Sequence, residues 1–106
     1  MTNREAFLKL HNLPKHKSLS LNEIAKLSKM PVSALKEVYN KGLGAYYTNP
    51  QSVRLKGSFK KNVDAPMRLK LTPQQWAYAR VYAFVMKSPK VFYDADKHIA
   101  EEYNLS

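Results

Sequence analysis

Apolar residues recur at helical spacing in five stretches of this chain, and the polar residues between them carry signals that start and stop helices. In the first stretch, residues 3–11, Ala6, Phe7 and Leu10 are the apolar set, Thr2 or Asn3 is placed to cap, and Pro14 lies beyond the end. The second is specified more tightly. Ser20 with Glu23 three positions later is a capping box, so a helix begins at Leu21 within residues 20–29, with Leu21, Ile24, Ala25 and Leu27 on one side. Pro31 has no amide to donate and clashes with a preceding turn, yet suits the start of a new helix. It therefore ends one helix and opens the next, over residues 32–41, in which Leu35 and Val38 or Tyr39 point inward and Gly42 is the expected stop. The first helix is expected to pack across this corner.

The texture changes after Gly42. Residues 43–71 read as a long basic arm, either an irregular loop or a short β-ribbon, because Val53, Leu55, Met67, Leu69 and Leu71 alternate with basic residues. Of the adjacent Tyr46 and Tyr47, one is expected in the core and the other in solvent. Thr72, Pro73 and Gln75 then open the strongest helix, residues 73–87, with a second capping box and proline in the first turn. Its sequence is apolar nearly all round, which predicts the central core helix. Arg80 is the exception, expected either to pair with an acid such as Glu37, Asp94 or Asp96, or to cap another helix, in preference to touching phosphate. Asp94 is the expected cap of a last helix, residues 94–103, carrying Ala95, Ile99, Ala100 and Tyr103. The predicted fold is mainly α: one domain, residues 1–106, of about five helices.

Composition changes the picture through charge. Eighteen Lys and Arg against eight Asp and Glu give a net charge of +10 on 106 residues, a field that attracts polyanions. Six of the bases, Arg54, Lys56, Lys60, Lys61, Arg68 and Lys70, lie in the arm beside one acid, Asp64, so this segment supplies +5 of the total. The absence of cysteine excludes disulfides, a thiolate zinc site and a cysteine nucleophile. The longest apolar run, residues 81–86, is too short to span a bilayer, and residues 1–10 have no signal-peptide core. A soluble protein held inside a cell or particle is expected, with no membrane association. His11, His16 and His98 are dispersed, no phosphate-binding or dinucleotide glycine motif is present, and the acids around Asp94 are those a helix start attracts. The expectation is a binding protein, not an enzyme, with no cofactor and no metal.

The small Ala25, the bulky Met30, then Leu35 and Val38 have the spacing of a helix-turn-helix, and Met30-Pro31-Val32-Ser33-Ala34-Leu35 resembles the Val-Pro-x-Ser-Thr-Leu version found in transposase and regulator domains. Lys29 stands where that motif usually has glycine at positive φ. On this resemblance the candidate nucleic-acid contacts are Ser33, Lys36, Asn40 and Lys41 on the second corner helix; the charge of the neighbouring arm and the aromatics beside it add Tyr46, Arg54, Lys56, Lys60 and Lys61. Asn40 suits adenine and Lys36 guanine or phosphate, while Glu37 would oppose a nearby phosphate. DNA is favoured over RNA as the partner. Gly42-Leu43-Gly44-Ala45-Tyr46-Tyr47-Thr48-Asn49-Pro50, the Ser52-Val53-Arg54 run, the string from Gln75 through Phe84, and Asp94-Ala95-Asp96 resemble a small basic domain family, without assigned activity, encoded by large DNA viruses and tailed phages. That resemblance implies a viral setting, in the virion or the infected-cell interior (cytoplasm or nucleus). It also implies a second reading: a structural virion component, minor capsid or internal, that binds packaged genome or an acidic viral shell protein.

Overall fold

The computed structural model describes residues 2–14, 17–48 and 72–105. Helix α1 (Asn3–Leu10) starts where Thr2, in extended geometry, accepts the Glu5 amide at 3.2 Å. Helix α2 (Leu21–Ser28) starts from the full capping box, with Ser20 Oγ accepting from the Glu23 amide and Glu23 accepting from the Ser20 amide. That contact holds the Glu23 carboxyl below its ordinary pKa, chiefly through the backbone hydrogen bond from Ser20. Helix α3 (Val32–Thr48) follows Pro31, whose carbonyl accepts from the Ala34 and Leu35 amides. Helix α4 (Pro73–Val85) has the predicted Thr72–Gln75 box and Pro73 at its first position. A π-helical turn (Val91–Ala95) and the short α5 (Lys97–Glu102) complete the described residues, which are mainly helical and contain no strand.

Helix α4 is the centre, with Ala77, Val81, Tyr82, Ala83, Phe84 and Val85 buried. It packs chiefly along α3, where Tyr39 meets Tyr78 edge to face at 5.2 Å. On another side it receives α1, where Phe7 lies 5.5 Å from the Tyr82 ring. The main neighbour of α1 is thus α4 and not the α2–α3 corner. Phe7 and Leu8 form its buried side, while Leu10, expected inward, is 66% exposed.

Two further expectations are corrected. The helix predicted over residues 32–41 continues to Thr48, so the first six residues assigned to the arm are helical. Gly42 does not stop it, because the missing side chain is used for packing: a Cβ there would stand 3.0 Å from Ala77 Cα. The last helix begins at Lys97, not Asp94. Residues 91–95 make a wide turn closed by the amides of Ala95 and Asp96 onto Lys90 and Val91, which sinks Phe92 against Phe84 at 4.9 Å. Asp96 flanks α5 without capping it, since its carboxylate is taken by Arg80.

Four helix ends are closed by non-glycine residues in left-handed geometry: Asn12, Lys29, Lys87 and Asn104, at φ of 55° to 61°. In each case the next amide bonds back to a carbonyl five residues earlier, as Leu13 does to Leu8 at 2.8 Å.

Candidate nucleic-acid interface

The corner is built as the hydrophobic pattern requires. Ala25 is buried, Leu27 and Met30 are half-buried over it, and Ala34, Leu35 and Val38 close the core from α3. Between the helices Lys29 takes φ 61° and ψ 29°, and Met30 donates its amide to Ala25 at 3.2 Å. Lysine therefore adopts the conformation glycine usually supplies, at a cost of about 1–2 kcal/mol. Its side chain stands in solvent beside the start of α3.

Along α3 the buried residues are Ala34, Leu35, Val38, Gly42 and Tyr46. The opposite side carries Ser33, Lys36, Asn40, Gly44 and Tyr47, spaced three or four residues apart and all exposed. This outer stripe runs about 21 Å, from the helical rise. Ser33, Lys36 and Asn40 were singled out from sequence and are exposed, with Ser33 hydrogen-bonded to Tyr103 just past α5. Tyr46 was also singled out, and the structure corrects that choice: Tyr46 is 4% exposed and Tyr47 71%. The two rings meet edge to face at 5.5 Å. Desolvation, then the neighbouring Tyr47, pushes the Tyr46 phenol above its ordinary pKa. Gly44 stands out in the sequence as a place for close approach of the backbone, to a neighbouring helix or to a phosphate, but Tyr47 was missed because Gly42 was taken as the end of the helix, although the spacing from Asn40 already continued the stripe.

Lys41 leans to the side of the stripe, towards α5. Its Nζ donates to His98 Nε2 at 2.9 Å and lies 3.9 Å from Asp96 Oδ1. An ammonium has donors only, so that ring nitrogen accepts. Asp96 is fully buried and takes two hydrogen bonds from Arg80, Nε at 2.8 Å and Nη2 at 2.7 Å. This parallel pairing answers the question posed by Arg80: it is a structural ion pair with one of the three acids expected. Glu37 is drawn towards Tyr103, just past α5. Hydrogen bonding from Ser33 lowers the Tyr103 pKa, but the bond to Glu37, desolvation and the Glu37 charge outweigh it and leave the phenol raised. One carboxylate oxygen of Glu37 is buried with no hydrogen-bond partner among the described residues.

Arg54, Lys56, Lys60 and Lys61 lie outside the described residues, as does most of the predicted arm. Among the described residues no group of three His, Cys, Asp or Glu side chains is placed to hold a metal ion, and no helix is long and apolar enough to cross a membrane. A shallow groove of about 200 Å³ lined by Trp76, Arg80, Ala83, Val91 and Ala95 lies between α4 and the π-helical turn. It falls below the size usual for small-molecule sites, about 300–1,000 Å³, and its one charged group is committed to Asp96.

Comparison with curated proteins and with solved structures gives no match. Comparison with family models gives one that spans nearly the whole chain, residues 4–100, so the protein belongs to the family of unknown function DUF5824.

Proposed function

We propose that this protein binds nucleic acid, duplex DNA in preference to RNA, with the α2–α3 corner acting as a helix-turn-helix and α3 as the helix that enters the major groove. The observation that carries the reading is the outer side of α3, where Ser33, Lys36 and Asn40 are exposed in one row on a chain of net charge +10. A helix with its side chains is about 10–12 Å across, which fits a major groove about 12 Å wide. Lys36 supplies a donor for guanine or phosphate, and Asn40 a donor–acceptor pair matched to adenine. Glu37, which would oppose phosphate, is turned towards Tyr103. Lys41 adds positive potential from the flank while held by His98. Arg54, Lys56, Lys60 and Lys61 supply sequence-independent contacts along the backbone. The protein acts by binding and not by catalysis, in a viral setting inside the infected cell or the virion.

Fluorescence anisotropy with duplex DNA over a salt series tests this. Lys36 and the four arm residues, if all neutralise phosphate, give a slope of log affinity on log salt of roughly −4.5. Reversing the charge of Lys60 and Lys61 weakens all sequences alike and flattens that slope by about 2. Asn40→Ala weakens only the preferred sequence. Binding that is absent at low salt, or indifferent to salt, overturns the proposal.

A further inference from the structure

The first turns of α3 suffice for the base contacts just described, and its last two turns carry an unexplained glycine. Gly44 is exposed in the body of a 17-residue helix, and apart from its chain neighbours and the adjoining helix backbone no described atom lies within 4 Å of the position its Cβ would take. Glycine is the poorest helix former after proline. Gly42 has a reason inside the fold, the contact with Ala77, whereas none of the described residues uses the missing side chain of Gly44. One turn further on, Tyr47 holds a ring 71% exposed, braced edge to face on the buried Tyr46.

Distance along the helix indicates what meets this end. Counted from Ser33, Asn40 lies about 10 Å along the axis, Gly44 about 16 Å and Tyr47 about 21 Å. A recognition helix lies in the groove with its N-terminal residues at the base edges. The groove curves round the duplex and the helix is straight, so a helix that presents Ser33, Lys36 and Asn40 there has left the groove floor by Gly44. What bounds the groove there is a sugar–phosphate strand. The outer stripe itself carries Lys36 and no acid, which suits an anionic neighbour. The geometry points to a second contact: the last two turns of α3 lie on the DNA backbone flanking the groove. In that contact Gly44 allows closest approach of the helix main chain, and the Tyr47 hydroxyl donates to a phosphate oxygen. This inference rests on the proposal that α3 faces DNA.

The test uses the full chain, duplex DNA anisotropy and thermal melting of Gly44→Ala, Gly44→Gln and Tyr47→Phe. Alanine at an open helical position raises Tm, by about 4 °C in a domain of this size. The expected result is a higher Tm for both Gly44 variants, with affinity falling as the side chain grows, about tenfold for Gly44→Gln, the loss of one good contact. Tyr47→Phe weakens binding by about fivefold, one hydrogen bond, without moving Tm. Unchanged affinity in the Gly44 variants overturns the inference and leaves the proposed function standing. A fall in Tm overturns it as well, since the added Cβ would then be meeting this chain's own residues. Failure of the unsubstituted protein to bind DNA removes both.

Discussion

Gly42 and Gly44 are two residues apart in one helix, so the intrinsic helical cost of glycine is the same at both, and alanine recovers about 1 kcal/mol at either. Packing alone separates them. At Gly44 no described atom opposes a methyl group, whereas at Gly42 the methyl would stand 3.0 Å from Ala77 Cα, 3.3 Å from Ala77 Cβ and 3.5 Å from Arg80 Cδ. Carbon atoms in contact prefer about 3.5–4.0 Å. The nearest atom is main chain, in a fully buried residue of the central helix, so it cannot rotate aside. The two helices must separate by about half an ångström, and an overpacked core costs about 1–3 kcal/mol. Net of propensity, Gly42→Ala is expected to destabilise by up to about 2 kcal/mol, and Gly42→Val by about 3 kcal/mol because it adds bulk with little helical gain. Circular dichroism melts and urea titrations read this directly. At about 4–8 °C per kcal/mol, the two alanine variants should fall on opposite sides of the unsubstituted protein. Equal stabilisation by both would refute the close approach of α3 and α4.

Asp96→Asn leaves the part-buried Arg80 without its charge partner and should cost about 3 kcal/mol, while the apolar double variant Arg80→Met with Asp96→Leu should recover much of that in urea titrations. Lys29→Gly relieves the left-handed strain at the corner and is expected to raise stability by about 1 kcal/mol with the helical signal unchanged. A fall would mean that the lysine side chain is held in place. Tyr82 is buried, and desolvation raises its phenol pKa although the Arg4 charge and hydrogen bond pull it down. The unfolded chain ionises this phenol near its ordinary value of 10.0 and the folded protein only above it, so this contribution is complete below pH 10 and is lost as pH rises further. Melts across that range should show an alkaline loss that is smaller in Tyr82→Phe.

What was legible in the sequence is what local interactions decide. The boxes at Ser20–Glu23 and Thr72–Gln75 join residues three apart, and the apolar circumference of α4 is a property of its own thirteen residues. The corner could be read for the same reason, since Ala25, Met30, Leu35 and Val38 lie within fourteen positions of one another. With them came the exposed row of Ser33, Lys36 and Asn40, because a helix with one buried side leaves the opposite side open.

Only the tertiary structure could decide where remote groups compete. Gly42 looks like a terminator until Ala77, thirty-five residues away, needs its space. Asp94 and Asp96 are equivalent acids at a helix start until Arg80 selects one of them. Tyr46 and Tyr47 differ in burial because α3 continues past residue 41 and turns the first of them inward. Left-handed caps fall on Lys29 and Lys87 because neighbouring helices set where each turn must end, and the backbone accepts a poor residue there to keep the core closed. Local chemistry thus determined which segments are helical and which way they face, and packing decided where they end, which acid is buried and which ring meets solvent.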